Sequence, residues 1–405
     1  MSSGIAPVAQ ARPQIGLLLS TVFLAYLGQM ALNPIIAPLA REVGLAEWQV
    51  GVTISAAAVM VVVTSQFWGR RSQAWGRKTV LMIALGAAVV SMTGFAVAAA
   101  SGMSGVLAGG ALFALFVLLR GVGFGSAIAA IPPTAQAYIA DVTHDEETRT
   151  RGMAGVGAVQ GVAMVGGAVV GGALAGFGLL VPLAVVPMLL ALAFVLVAVR
   201  LRREERHELV ADPARVSPLD PRVWPYLLAG FGMFTALGFM QVLIGFVVQD
   251  RLGLTAEATG LATGGSLLAA GIGMVVAQAV VVPRSGWSPP ALLRIGTAVA
   301  LAGFALLVLD AGLWPLIAAT LLIGLGLGIA MPGYTAGPTL LVDRDEQGGL
   351  AGLIGATNGL TFVITPTAST ALYGLWPPLP IIVGAAVMAV VFLFTLLHPR
   401  FRGGG

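Results

Sequence analysis

The stretch Trp68–Lys78, WGRRSQAWGRK, decides the fold of this chain. It gathers four cations, Arg70, Arg71, Arg77 and Lys78, in a sequence of which only 9% is charged, and it separates two long apolar segments. Lysine and arginine beside a membrane span resist translocation, so the stretch is expected to stay on the cytoplasmic side of a bilayer. Gly69 and Gly76 bracket it. Glycine lets a backbone turn hard, which predicts a tight polar turn between two spanning helices.

Outward from this turn the whole sequence reads the same way. Of 405 residues 58% are hydrophobic, whereas soluble chains carry about 25% charged residues. Apolar runs long enough to cross a bilayer recur along the chain, and twelve spans are predicted, from about 15–38 to about 378–397. The cations fall mainly on one side, with Arg41 and Arg251 on the other and Arg120 inside a span. That asymmetry places both termini in the cytoplasm and requires an even number of spans. Leu201–Val223, rich in proline and mixed charge, reads as a cytoplasmic linker between a first bundle at 1–200 and a second at 224–405. The chain has no cysteine, which excludes a thiol nucleophile or thiolate metal site. His144, His207 and His398 lie in polar connections and assemble no metal site, so no cofactor is expected. A net charge of +4 spread over membrane-edge loops points to no nucleic-acid partner. With no nucleophile–base pair the chain does not read as an enzyme, and a monomer is expected.

The two halves repeat each other. Val43-Gly44-Leu45, followed by Gly51, returns as Leu252-Gly253-Leu254, followed by Gly260. Gly121, Gly123, Gly125 and Ala127 of the fourth span return as Gly324, Gly326, Gly328 and Ala330 in the tenth. Pro283-Arg284-Ser285-Gly286 is a degenerate echo of the opening turn. The order implies a duplicated six-span unit, an arrangement that holds substrate near the midplane and exposes it to alternate sides.

Trp68–Lys78 also resembles the signature loop of the major facilitator superfamily, G-x-x-x-D-x-x-G-R-[KR]. Gly69, Gly76, Arg77 and Lys78 match, while Gln73 stands at the acidic position. The ending Tyr138-Ile139-Ala140-Asp141-Val142-Thr143 resembles Y-I-A-D-[IV]-T of the drug/proton antiporter branch, and Gly167–Gly172 resembles that branch's G-P-x-x-G-G with Ala168 replacing proline. Arg120 resembles the arginine of R-x-x-Q-G in the fourth span, with Gly123 in place of glutamine. The resemblance covers essentially the whole chain. It implies an all-α membrane protein of twelve transmembrane helices in two pseudo-symmetric six-helix bundles, and export of small molecules from a bacterial cytoplasm.

An arginine within a span costs about 2.5–3.5 kcal/mol on insertion scales, so Arg120 is expected to face a wet cavity or a partner. Tyr26, Gln29, Asn33, Phe124, Gln241, Tyr334 and Asn358 are the other candidate substrate-binding residues, each equally readable as glue between helices. A gate is expected from Gly69, Gln73, Gly76, Arg77 and Asp141, with Asp141 able to pair with Arg77 or Arg70. The competing reading is a topogenic charge cluster and a solvated carboxylate. No Asp or Glu lies deep in a span, so any proton coupling is assigned to Asp141 or is absent. Efflux of amphipathic drugs, export of an endogenous anionic metabolite such as a siderophore, and ligand sensing without transport all remain open. A reporter active only outside the cytoplasm, fused after Gly405, is expected to be silent; strong activity would overturn the predicted topology.

Overall fold

Inside a bilayer every backbone N–H and C=O must pair within its own segment, so long apolar runs close into helices. The computed structural model describes residues 14–143, 146–202, 216–343 and 346–402. Among these, twelve helices are long and apolar enough to span a membrane. They are α1 (Ile15–Glu42), α2 (Glu47–Trp75), α3 (Arg77–Met103), α4 (109–142), α5 (Glu146–Ala175), α6 (Leu180–Arg200), α7 (Trp224–Leu252), α8 (Ala256–Ser285), α9 (Pro289–Val308), α10 (Leu313–Thr339), α11 (Gln347–Leu375) and α12 (Leu379–Leu397). With an even number of spans the described chain begins and ends at one face, here the terminal face; the opposite one is the far face. Of the expected linker, 203–215 and with it His207 lie outside the described residues, as does His144.

The opening turn is shorter than its sequence suggests. Helix α2 continues through Gly69 to Trp75, and the reversal falls on Gly76 alone, at φ +88°. Only glycine tolerates that angle without strain. The helix persists because the Arg71 guanidinium lies over the Phe67 and Trp75 rings, at 5.3 and 4.9 Å from their centroids. Such cation–π contacts stabilise a helix end at the membrane edge. Helix α4 departs from regularity at Val117–Gly123, one π-helical stretch that contains Arg120. Insertions of this kind widen a helix and re-aim its side chains.

Each half is assembled by the same glycines. A Cβ on Gly125 would lie 2.7 Å from the Ala57 Cα of α2, and one on Gly328 would lie 2.8 Å from the Met274 Cα of α8. Gly123 sits 3.2 Å from the Ser91 Cβ of α3 by the same measure, and Gly326 sits 2.8 Å from the Ala300 Cα of α9. The repeated ladder thus seats α4 on α2 and α3, and α10 on α8 and α9. Small residues permit this because apolar helices in lipid associate by close packing, not by hiding from water.

The two halves meet toward the far face. Gly51 of α2 has no room for a side chain against Pro366 of α11, whose carbonyl carbon lies 2.9 Å from a built Cβ. Its repeat partner Gly260, in α8, abuts Ala175 of α5. Gly172 and Gly264 cross so closely that a Cβ on either would lie 2.8 Å from the other's Cα. Ser55 and Thr367 are joined by a 2.8 Å hydroxyl hydrogen bond. Toward the terminal face Val62 still reaches Gly359, at 3.3 Å from its built Cβ, but Gly157, Gly161, Gly352 and Gly355 face open space. The molecule is closed at the far face and open at the terminal one. Overpacking a tight contact costs about 1–3 kcal/mol, so Gly264→Val is expected to lower far-face closure roughly fivefold. Disulfide yield between Ser55→Cys and Thr367→Cys in this cysteine-free chain measures it. An unchanged yield would show that the Gly172–Gly264 crossing does not hold the seal; Gly157→Val is the neutral control.

Candidate functional site

Divergence of the halves leaves a cavity of about 600 Å³, within the range of small-molecule sites. Tyr26, Gln29 and Met30 of α1 line it, with Ser65 of α2, Arg120, Pro132 and Pro133 of α4, and Gln160 of α5. The second half contributes Gly359 and Phe362 of α11. Arg120 is 5% exposed, and its guanidinium stands over Phe124 at 5.0 Å from the ring centroid. Among the described residues its Nε has no hydrogen-bond partner, and neither does the buried Oε1 of Gln29. The Tyr26 hydroxyl and the Gln160 amide face each other.

The sequence-predicted binding residues therefore separate into three places. Tyr26, Gln29 and Arg120 line the cavity, with Phe124 fully buried beneath the arginine. Asn33 and Gln241 line a smaller pocket of about 40 Å³ between the halves, where the Gln241 amide lies 3.9 Å from the Met164 sulfur. Tyr334 and Asn358 lie away from both. Tyr334 is fully buried in the second half, and its hydroxyl donates to Asn358 Oδ1 at 3.0 Å.

At the terminal face Arg77 and Asp141 meet. Arg77 Nε and Nη2 each lie 3.0 Å from Asp141 Oδ2, and Nη1 donates to the buried Ser72 hydroxyl at 2.8 Å. Gly76 turns the chain so that Arg77 starts α3 and points back across α2 to the end of α4. Ser72, five residues before Arg77, was not singled out in the sequence; its place on the helix face toward Gly76 is the signal. All these groups belong to the first half, so the pair braces that half while the face between the halves stands open. Lys78 donates to the Ala198 and Leu201 carbonyls at 2.7 and 2.6 Å, satisfying the free end of α6. Gly69 faces open space, and the Gln73 side chain lies outside the described ones. The second half carries its own cluster here. Arg222 binds Asp220 and Glu346 at 2.8 and 2.9 Å, and its hydrogen bonds hold both carboxyls below their usual range.

A second ion pair, at the far face, bridges the halves. Arg41 at the end of α1 makes a two-pronged contact with Asp250 at the end of α7, its Nη2 lying 2.8 Å from Oδ2. Tyr373 of α11 donates to the same carboxylate at 2.6 Å. Arg41 Nη2 is also 3.3 Å from Glu47 of α2, and the guanidinium lies 5.4 Å from the Phe246 ring centroid. Sequence reasoning placed Arg41 on this side without giving it a partner. The signal was present, because Arg41 and Asp250 are 209 residues apart, the same offset as Gly44 and Gly253. The duplicated unit places opposite charges at equivalent positions, and they meet across the axis that relates the halves.

Twelve spans in two repeating halves, a cavity between them and an ion pair bridging one mouth define a multi-pass membrane carrier. The chain belongs to the Major Facilitator Superfamily, whose family model matches residues 18–352. It is 29% identical over 391 residues to the tetracycline resistance protein, class G, of Vibrio anguillarum, covering 92% of this chain and 94% of that one. It is 27% identical over 197 residues to multidrug resistance protein 2 of Bacillus subtilis (strain 168), covering 48% and 46%. These relatives agree with the resemblance of the YIADVT ending. Among solved structures it is similar to a bacterial homologue of the human lysosomal transporter Spinster, in an inward-facing and unoccupied conformation, with TM-score 0.74, 13% identity and 97% and 98% coverage. A bacterial homologue of the iron transporter ferroportin, also inward-facing, gives TM-score 0.69, 18% identity and 98% and 100% coverage.

Removing one member of the far-face pair leaves the other charge without its partner, so Asp250→Asn and Arg41→Ala are expected to open that face. With the termini taken as cytoplasmic, labelling of Ser55→Cys by an impermeant maleimide on whole cells should rise by roughly fivefold, the effect of about 1 kcal/mol. Asp141→Asn should leave it unchanged. Equal labelling in all variants would remove Arg41 and Asp250 from the seal.

Proposed function

We propose that this chain exports small amphipathic compounds from the cytoplasm of a bacterium across its inner membrane by alternating access, as a member of the drug/proton antiporter branch. The observation that carries the reading is the cavity between the halves, walled by Met30, Met164 and Phe362 and holding one buried cation. Methionine and aromatic walls adapt to varied apolar bodies. The resistance names of its sequence relatives support a drug-like substrate. With the termini taken as cytoplasmic, the open mouth faces inward, and the Arg41–Asp250 pair is the outer seal. Arg77, Asp141, Gly76 and Gln73 then form the cytoplasmic gating region, in which the ion pair stiffens the first half for rigid rocking against the second.

Export of an endogenous anionic metabolite is the second reading, favoured by the unpartnered Nε of Arg120. Among the described residues no carboxylate lines the cavity, so proton coupling is assigned to carboxylates at the membrane edges, chiefly Asp141. Expression in an efflux-deficient host is expected to lower cell accumulation of tetracycline or of a lipophilic dye, and a protonophore should restore accumulation. Arg120→Ala should abolish export while the protein still inserts. Accumulation that expression leaves unchanged for every compound tried, drugs and organic acids alike, would refute the export reading.

A further inference from the structure

The cavity is polar on one side only. Among the described residues every polar side chain lining it comes from the first half, whereas the second half offers Gly359 and the Phe362 ring. Two of those polar groups, Tyr26 and Gln160, face each other. Ser65 donates to the Val62 carbonyl at 3.3 Å. Among the groups left, Arg120 Nε–H and Gln29 Oε1 are buried and have no hydrogen-bond partner among the described residues. Both residues line that cavity, and the two groups do not satisfy each other.

Each orphan asks for a definite complement. The Phe124 ring covers one face of the guanidinium, so a ligand reaches Arg120 through the N–H groups in its plane. A guanidinium edge matches the oxygens of a carboxylate or similar acid, and such charge-assisted hydrogen bonds are the stronger kind. The Gln29 carbonyl oxygen accepts only, so it needs an N–H or O–H. A cationic ligand would meet Arg120 with no carboxylate in the lining to offset it. A neutral ligand would leave the buried charge uncompensated.

We propose that the cavity takes an amphipathic organic anion carrying a hydrogen-bond donor near its acid group. The polar end lies against α1 and α4, and the apolar body lies against Phe362 of α11. Gln29 then sets specificity, because it separates acids that bear a donor from acids that do not. Phe362, on the other half, feels the ligand through its apolar end, so a bound molecule touches both halves. The inference rests on this cavity being the substrate site, as in the export reading.

Three probes test it against the full-length chain in lipid nanodiscs, by equilibrium dialysis with empty nanodiscs subtracted. They are 2-naphthoylglycine, its methyl ester, which lacks the charge, and 2-naphthoylsarcosine, which keeps the acid but lacks the N–H. The glycine conjugate is expected to bind about tenfold or more tightly than the ester, and about threefold or more tightly than the sarcosine conjugate. Gln29→Leu should bring the second ratio to about one and leave the first. Arg120→Gln should do the reverse, and Phe362→Ala should weaken all three probes alike. If Arg120→Gln fails to fold, the wild-type ester ratio and the Gln29→Leu result decide the matter. The proposal is overturned if the ester binds as tightly as the acid, if the N–H preference survives Gln29→Leu, or if no glycine conjugate binds at about 1 mM. Loss of cellular export with these ratios intact would fault the export reading and leave the binding proposal standing.

Discussion

Apolar helices gain nothing in a lipid interior by hiding from water, so their association depends on how closely their backbones approach. This chain meets that constraint with glycine at the crossings. The ladder Gly121, Gly123, Gly125 and its repeat Gly324, Gly326, Gly328 build each half, and Gly51, Gly260, Gly172 and Gly264 bring the halves together at the far face. Where glycines meet no neighbour, at Gly157, Gly161, Gly352 and Gly355, the halves part. The shape of the cavity is thus set by where small residues find partners and where they do not.

Charge is handled separately from packing. The ion pairs Arg77–Asp141, Arg41–Asp250 and Arg222–Glu346 lie at helix ends, where water lowers the cost of holding them. Their placements differ in consequence. Arg77–Asp141 joins α3 to α4 within one half and survives with the terminal face open. Arg41–Asp250 joins the two halves, and Arg41 also has Glu47 within its own half. When Asp250 withdraws, Arg41 keeps an acidic neighbour, which lowers the cost of separation. Mutual repositioning of two rigid halves needs interactions of this second kind.

Arg120 is the exception to charge at the ends. Its π-helical segment has no counterpart in α10, which runs unbroken through the repeated glycines. The first half has therefore diverged from the second where it lines the cavity, and the polar lining is correspondingly one-sided. A site with its polar groups on one body and an aromatic wall on the other couples ligand binding to the approach of the two.

The class of fold, the number of spans, the duplication and the one arginine inside a span can all be read from the sequence. These follow from run length, period and charge count, which are local or additive along the chain. The Gly76 turn and the Arg77–Asp141 pair were legible because the motif carries both spacing and charge. Which polar residues share a cavity is settled by helix packing instead. Tyr26, Gln29 and Arg120 face one space, Asn33 and Gln241 another, and Tyr334 and Asn358 satisfy each other inside the second half. Each is a polar residue in an apolar helix, and what it faces depends on helix rotation and on partners from other helices. The far-face pair shows the same limit. The offset of 209 residues relates Arg41 to Asp250, but opposite charges at equivalent positions become a contact only when two halves fold and meet across their common axis.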